Sequence, residues 1–381
     1  SLSNSQIASL TVEQIAKLDV SQVTAISATG AGAITSDQIR AFSTDQFAAL
    51  TTSQVGALRA QTVSAMYADQ VSEITTAQMV ALTQTQFAAM TVEQIQALQQ
   101  EQIQVMETQD IAALTASQVA GLSNDQVTWI TTSQIGAIET RDVIAMTDNQ
   151  IGAMTTAQVV KLTTTQFSAL LSNQVKAMST EQVSVIETAD LVVLSTSQIQ
   201  ALDETQINAL SSTQARALLT GQVSSLTLGQ VGNLSVDLLK NLKTTQINAL
   251  TSGQIQVLDE NQVSGLSTLQ VNNLTSTLLN ALTEAQVGQL TTVQTRALTT
   301  GNVVALTSTQ VAALNTDQVS TLLTSQIQVI ETQDIQALSV EQLNSIQSST
   351  LLQALNSSQL SALSLEQFGA LQVGQLQKLN T

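Results

Sequence analysis

The sequence predicts an all-α protein: a solenoid, or superhelix, of very short capped helices with one helix in each eight-residue repeat. Two observations predict this fold class. A glutamine recurs every eight residues along most of the 381 residues, and a Thr or Ser stands three positions before it. That spacing is the capping box of a helix N-terminus. A fixed period that runs through a whole chain is typical of a repeat array and not of separate globular domains.

The octad has the consensus Leu-Thr/Ser-x-x-Gln-Val/Ile-x-Ala, and residues 50–57 are a representative copy. We count positions from the hydroxyl residue, so that Gln is position 4, Val or Ile position 5, Ala position 7 and the next Leu position 8. Thr51 is expected to accept from the backbone N–H of Gln54, and Gln54 to reach back to Thr51. Leu50 and Val55 flank this cap as a hydrophobic staple. Each octad therefore predicts one helix of about two turns.

Charge placement supports the helix independently. Of the 28 acidic residues, 27 stand at positions 1–4 of an octad, with Glu73 as the exception. Eight of the 11 basic residues stand at position 6 or 7. Acids near the start and bases near the end of a helix complement its dipole. A β-strand has no comparable dipole and predicts no such sorting.

A single continuous helix does not fit the pattern, because eight residues turn an apolar stripe by about 80° per repeat. The helix must break in every octad, and the extended capping residue is the natural break. A β-solenoid is the alternative fold, since Thr and Val favour strands and glutamine ladders occur in β arrays. Strict alternation is missing, which favours helices. So short a helix is unstable alone, and stability must come from stacking octads into coils.

The repeat predicts one continuous array over residues 1–381, with a one-residue phase shift between 346 and 355. Ser1 already stands in phase with the repeat and no signal peptide is recognisable. We therefore expect a processed product or a segment of a longer protein. Position 4 departs from glutamine at nine places: Gly30, Thr62, Asp110, Asp142, Asp190, Leu238, Leu278, Asn302 and Asp334.

Composition excludes several function classes. The net charge is −17 and no basic cluster could neutralise phosphates, so nucleic-acid binding is not expected. No run of about 18 apolar residues is present, so no membrane insertion is expected. Neither His nor Cys occurs, and no nucleophile elbow or phosphate loop is recognisable. We expect no enzymatic activity and no cofactor.

Paired carboxylates are the one feature with site-like chemistry. In four octads Glu replaces the capping hydroxyl and Asp replaces the glutamine together. Oxygen-only ligands of this kind suit Ca²⁺, so these pairs are weak calcium candidates. The favoured interpretation is an acidic variant of the helix start, stabilised by the helix dipole. The pairs are Glu107 with Asp110, Glu139 with Asp142, Glu187 with Asp190, and Glu331 with Asp334.

The few aromatic residues give weaker predictions. Phenylalanine at position 5 is expected in the core, as at Phe47, Phe87, Phe167 and Phe368. Trp129 stands at position 7, where a bulky ring predicts local expansion or exposure. A sugar-stacking site at Trp129 is the alternative interpretation.

The run Ala-Leu-Thr-Thr-Ser-Gln-Val-Gly-Ala-Leu at residues 49–58 resembles repeat tracts of very large, adhesin-like secreted or surface proteins of proteobacteria. The resemblance implies an extracellular structural role at the cell surface, such as a filament, sheath or matrix. Open repeat ends predict self-association, with copies of the chain stacked head to tail. The alternative is a binding or adhesin-stalk module that presents a polar surface to a protein, a glycan or another cell-surface partner.

Overall fold

In a computed structural model, the chain is described for residues 2–346 and 353–379. Over these ranges it is entirely helical, with 46 short helices and no strand. The prediction of one short capped helix per octad is confirmed, and the β-solenoid alternative is wrong. The helices contain four to seven residues and are therefore mostly shorter than the two turns expected. The predicted phase shift falls largely outside the described residues.

Two compact units divide the chain, Ser1–Leu194 and Ser195–Thr381. The helices of the first unit are Asn4–Ser9, Val12–Ile15, Val20–Thr24, Ala28–Ala31, Ser36–Arg40, Thr44–Ala48, Thr52–Ala57, Ala60–Ser64, Ala68–Ser72, Thr76–Ala81, Gln84–Ala89, Val92–Gln96, Gln100–Val105, Thr108–Ala113, Ala116–Gly121, Asn124–Trp129, Thr132–Ile135, Thr140–Ala145, Asp148–Ala153, Thr156–Val159, Thr164–Ala169, Ser172–Lys176, Thr180–Ser184 and Thr188–Leu191. The helices described in the second unit are Thr196–Ala201, Glu204–Asn208, Ser212–Ala217, Thr220–Ser225, Leu228–Gly232, Val236–Asn241, Thr244–Ile247, Ser252–Gln256, Glu260–Gly265, Thr268–Asn272, Ser276–Ala281, Glu284–Gly288, Thr292–Ala297, Thr300–Ala305, Ser308–Ala313, Thr316–Ser320, Thr324–Ile327, Thr332–Ala337, Val340–Ser345, Ser357–Ala362, Leu365–Gly369 and Val373–Leu379.

Local capping explains where each helix begins and ends. Thr51 has extended dihedrals, φ −69° and ψ 158°, and its hydroxyl accepts from the backbone N–H of Gln54 at 3.3 Å. The side chain of Gln54 accepts from the backbone N–H of Thr51 at 2.6 Å, which completes the predicted capping box. Leu58 ends the helix in an extended conformation, with its N–H on the carbonyl of Val55. The extended residues at positions 8 and 1 therefore separate successive helices.

Positions 5 and 8 form the core. Val55 is fully buried and Leu58 is 4% exposed, and the same two positions are buried in nearly every later octad. Between Ile95 and Ile130 the cavity left on the axis measures only about 10 Å³. That volume has room for about one water molecule, so the interior of this stretch is a packed core and not a channel. Burial of two aliphatic side chains per octad supplies the main stabilisation.

Stacking fixes the number of octads in a coil, which the repeat pattern leaves open. Helices pack mainly against those three places before and after them, as Asn4–Ser9 does on Ala28–Ala31 and Ala28–Ala31 on Thr52–Ala57. Hydrogen bonds also join helices four places apart, as from Gln38 to the carbonyl of Ile7. Each coil therefore contains more than three and fewer than four octads.

None of the described helices is long and apolar enough to cross a bilayer. The longest, Val373–Leu379, has seven residues, whereas a membrane-spanning helix needs about 20.

Candidate functional site

The position-4 glutamine joins successive coils, in addition to capping its own helix. In Gln150, Oε1 accepts from the backbone N–H of Thr147 at 2.7 Å. Its Nε2 donates to two carbonyl oxygens of the helix four places earlier, Val119 at 2.9 Å and Leu122 at 2.7 Å. The side chain is 1% exposed, so one amide satisfies three backbone groups in a buried setting. We call this set of bonds the glutamine seam.

The glutamine seam recurs with constant spacing. Gln86 bonds the carbonyls 31 and 28 residues before it, those of Val55 and Leu58, and Gln310 repeats the pattern in the second unit. Beyond residue 352 the separations become 32 and 29, as for Gln359 on Ile327 and Ile330. The sequence therefore gains one residue before Gln359, and the bonded positions of the octad stay the same.

Position 6 forms a second seam, with the position-7 carbonyl of the helix three places later. Arg40 Nε donates to the carbonyl of Ala65 at 2.8 Å, and Gln96 Nε2 to that of Gly121 at 2.8 Å. Glycine at position 6 lets the same two backbones approach closely: a Cβ on Gly56 would lie 2.8 Å from the carbonyl oxygen of Ala81. In these octads position 6 therefore carries either glycine or a long side chain that donates to the neighbouring helix.

Substitutions of the position-4 glutamine show what the glutamine seam requires. Asn302 keeps both functions, accepting from the N–H of Thr299 at 2.9 Å and donating to the carbonyl of Leu274 at 3.3 Å. Thr62 keeps only the donor, with its hydroxyl on the carbonyl of Ile34 at 3.0 Å. Leu238 and Leu278 keep neither, and both are buried. Each of these four octads lies between two octads that keep the glutamine.

In the four acidic pairs the structure separates the two carboxyl groups. The glutamate at position 1 is exposed in each pair, and the aspartate at position 4 is buried. Asp142 is fully buried, and its Oδ2 has no hydrogen-bond partner. Arg141 Nε lies 3.1 Å from Glu139 and 3.2 Å from Asp142 Oδ1, so this pair has a cation beside it. Over the described residues, no group of three or more acidic side chains lies close enough to hold a metal ion.

Burial raises the pKa of all four buried aspartates above the usual aspartate value. Desolvation is the largest cause at Asp110, Asp142, Asp190 and Asp334. The neighbouring position-1 glutamate adds to the rise, because two like charges disfavour ionisation. Arg141 opposes the rise at Asp142.

Open polar clefts lie beside three of these helix starts. They have volumes of about 450, 530 and 550 Å³ and contain Glu139 with Arg141, Glu107 with Gln109, and Glu331 with Gln333. In each cleft, residues of the helix three places later form the other wall, such as Ser133 beside Glu107. Each of these clefts therefore lies between two helices that are three places apart.

The aromatic predictions have mixed outcomes. Phe47, Phe87 and Phe167 are fully buried at position 5, as expected. Phe368 is 51% exposed, so its assignment to the core is wrong. It lies in the last described coil, where no later described coil covers it. Trp129 is half-buried at the end of its helix.

Comparison with known families agrees with this repeating geometry. Five stretches of the chain match the ALTTAQ repeat family. They lie in both units and cover residues 32–60, 103–140, 135–172, 183–220 and 293–325. The chain therefore carries a tandem repeat tract similar to ALTTAQ repeats, as a structural repeat protein does. No curated protein matches the chain.

Proposed function

We propose that this protein is a non-enzymatic structural element that extends a bacterial cell-surface filament, sheath or matrix by stacking end to end with other copies of itself. The observation that carries the proposal is the polarity of the glutamine seam, because each coil presents amide donors to the coil before it and backbone carbonyls to the coil after it. Gln6, Gln14 and Gln22 are exposed, whereas nearly every later position-4 glutamine is buried in the seam. Their Oε1 atoms cap their own helices, as Gln14 does for Thr11 at 2.8 Å.

The first coil also exposes the apolar side of its core. Leu2 is 49% exposed, and a depression of about 240 Å³ is lined by Leu10, Leu18 and Ile26, among others. Elsewhere in the array, the same positions are covered by a neighbouring coil. A face with an apolar centre and three amide donors fits the carbonyl side of another coil of the same repeat.

The last described coil offers the matching groups. By the spacing of the glutamine seam, the acceptors would be the carbonyls of Leu360, Leu363, Phe368 and Leu371. The half-exposed ring of Phe368 stands at a position that is fully buried when a later coil covers it. Because one face supplies donors and the other acceptors, contact between two copies would be heterologous, which gives a linear polymer unless the rotation between copies closes a ring.

The location at the cell surface is part of the proposal. It is supported by the absence of cysteine, the acidic composition and the resemblance of the repeat to tracts in adhesin-like proteins. Immunogold labelling of intact and permeabilised cells of the source bacterium tests it, with surface labelling expected and labelling only after permeabilisation contradicting it.

The test of self-association is electron microscopy and light scattering of the purified chain over a range of concentrations. We expect linear particles that lengthen with concentration, and loss of that growth in the variant Q6E/Q14E/Q22E. The variant keeps the three capping acceptors but replaces the amide donors with carboxylates. The matched control is Q84E/Q104E/Q328E, which adds the same charge at exposed positions outside the first coil.

Growth that is equal in both variants would show that the first coil is not the contact. Single rods at every concentration would contradict the polymer and favour the alternative, a stalk or spacer module.

A further inference from the structure

The four buried aspartates stand where a glutamine otherwise donates two hydrogen bonds to backbone carbonyls. An ionised carboxylate only accepts hydrogen bonds, so in this position it would face carbonyl oxygens with no proton between them. We propose that these aspartates are neutral acids in the folded array, and that each donates its proton to a carbonyl of the helix four places earlier. Acidification therefore raises the stability of the folded array. The set is Asp110, Asp142, Asp190 and Asp334.

Asn302 provides the geometric precedent within the same chain. Asparagine has the length of aspartate, and at position 4 its Nδ2 reaches the carbonyl of Leu274, 28 residues earlier, at 3.3 Å. Its Oδ1 meanwhile accepts from the capping N–H of Thr299 at 2.9 Å. A protonated aspartate has the same arrangement of one acceptor and one donor. A side chain of this length is therefore long enough for both bonds.

Asp110 shows half of this arrangement directly. Its Oδ2 accepts from the backbone N–H of Glu107 at 3.0 Å, which is the capping bond. By the seam spacing of 31 and 28 residues, the carbonyls opposite its other oxygen are those of Met79 and Leu82. These carbonyls belong to the helix Thr76–Ala81 and the residue that ends it, and this helix has no charged side chain.

Over residues 2–346 and 353–379, no cation lies where it would hold Asp110 ionised. The helices stacked on either side of it, Gln84–Ala89 and Thr132–Ile135, contain no charged residue. Among the described residues, the only charge that acts on Asp110 is the carboxylate of Glu107, three residues earlier. Burial and the like charge both favour the neutral form.

The other three sites differ in their neighbours. Ser308 donates to Asp334 Oδ1 at 2.6 Å, and the hydroxyl of Thr164 donates to Asp190. Within the described ranges, the charge that acts on each is its own position-1 glutamate, Glu331 or Glu187. The stacked helices Ser308–Ala313, Ser357–Ala362 and Thr164–Ala169 contain no charged residue. The helix four places before that of Asp334, Thr300–Ala305, contains no charged residue. The helix four places before that of Asp190, Thr156–Val159, is followed by the exposed Lys161.

Asp142 is the site where the proton is held most weakly, because Arg141 lies beside it together with Glu139. The helices stacked on it, Ala116–Gly121 and Thr164–Ala169, contain no charged residue. The helix four places earlier contains Asp110, but in its first turn, away from the carbonyls at its end. We therefore expect the effect to be largest at Asp110 and smallest at Asp142.

The experiment is thermal unfolding of the full chain between about pH 8 and about pH 5, followed by far-UV circular dichroism. We compare the wild-type chain with the variant D110N/D142N/D190N/D334N, in which each amide supplies the donor at every pH. The expected result is that the wild-type midpoint rises on acidification, while the variant has a higher midpoint at about pH 8 and a smaller pH dependence.

A matched control is needed because acidification also reduces the general repulsion of a chain with net charge −17. The variant D37N/D45N/D125N/D317N removes the same number of charges at exposed positions and is expected to keep the wild-type pH dependence. Equal pH dependence in all three proteins would overturn the proposal. Should the fourfold variant not fold, the single change Asp110→Asn tests the same point.

Infrared difference spectra of Asp110→Asn against wild type give a second readout that does not depend on stability. At neutral pH, loss of a protonated carboxyl band in the variant is expected. Absence of that band from the wild-type chain would overturn the proposal. A rise of the wild-type midpoint on adding Ca²⁺ at about pH 8, lost in the fourfold variant, would also overturn it, because ionised carboxylates would then be holding a cation.

Discussion

Asn208 replaces the cap that Leu238 cannot provide. Leu238 stands at position 4, where a glutamine would accept from the backbone N–H of Ser235. That N–H instead donates to Asn208 Oδ1, from the helix four places earlier, at 2.7 Å. Asn208 Nδ2 also donates to the carbonyl of Asn233 at 2.8 Å. The second leucine at position 4 repeats the relationship 40 residues later, since Asn248 accepts from Thr275 N–H in the helix of Leu278.

This relationship predicts energetic coupling between Asn208 and Leu238. Asn208→Ala leaves the N–H of Ser235 without its acceptor and is expected to lower the free energy of unfolding by about 1–2 kcal/mol. In a Leu238→Gln background the loss is expected to be smaller, because the new side chain can cap Ser235 itself. A double-mutant cycle measured by urea denaturation checks the coupling. Additive effects would show that the two residues do not compensate each other.

The glutamine seam predicts that Glu cannot replace Gln in a buried octad. Gln150→Glu keeps the capping acceptor but sets a carboxylate against the carbonyls of Val119 and Leu122, so we expect a loss of at least about 1–3 kcal/mol. Gln14→Glu is the matched control, because Gln14 is exposed and caps Thr11 in the same way. It should change stability by less than about 0.5 kcal/mol. Thermal unfolding of both variants checks the difference, and equal losses would contradict a donor role.

Close approach at position 6 predicts that Gly56→Ala destabilises the array. The new methyl would lie 2.8 Å from the carbonyl oxygen of Ala81, so the stacked helices must separate. Gly221→Ala is the control: a methyl added there meets no atom within 4 Å, and alanine is favoured over glycine within a helix by about 1 kcal/mol. The two substitutions should therefore shift the unfolding midpoint in opposite directions. A rise of the unfolding midpoint in both variants would show that the stacked helices can separate at Gly56 without loss of stability.

Missing hydroxyl caps predict simple stabilising changes. Leu219 stands at position 1, and only the glutamine half of the capping box remains, with its N–H on Gln222 Oε1 at 2.8 Å. Leu219→Thr supplies the other half and is expected to raise stability by about 1 kcal/mol. Leu228→Thr is the control, since it also removes an exposed leucine but at a position that does not cap. A midpoint that rises equally in both would show that removing an exposed leucine, and not capping, causes the gain.

Asp19 and Asp110 are expected to titrate on opposite sides of the usual aspartate pKa. The hydroxyl of Ser21 and the N–H of Gln22 lower the pKa of Asp19, so its contribution is present above the unfolded pKa and is lost as pH falls through the folded value. Burial raises the pKa of Asp110, so its contribution is complete below the unfolded pKa and is lost as pH rises through the folded value. Carboxyl ¹³C shifts measured against pH check both directions, and the reverse order would contradict them.

Local chemistry made most of the fold predictable. The bonds between Thr51 and Gln54 connect residues three apart, and their geometry depends on no other part of the chain. The break between octads follows from the same argument, because an N-cap residue is extended. The prediction for Phe368 was wrong because burial at position 5 depends on whether a later coil covers it, and a repeat pattern is the same in a central coil and a terminal one.

The inter-coil seams were not predicted, although one signal in the sequence points to them. Glutamine and glutamate both complete a capping box, yet glutamate does not occur at position 4 in the octads as we count them. A cap alone gives no reason for that preference, whereas a second donor group does. The buried state of Asp110 was not predicted either, because the pattern of a single octad does not show contacts between coils. The exposed face of an isolated helix start becomes an interior surface once coils stack.

A coil that closes on a fractional number of octads has a consequence for how such chains change in length. If three octads made one full coil, every third octad would occupy the same side of the array. Here successive coils do not place octads directly above one another, and each glutamine bonds carbonyls of the helix four places earlier. Adding or deleting a single octad leaves the bonds of all later helices equivalent. A single octad can therefore be added or removed where the octads four places apart keep the glutamine, but not between Asn208 and Leu238, whose compensation depends on their spacing.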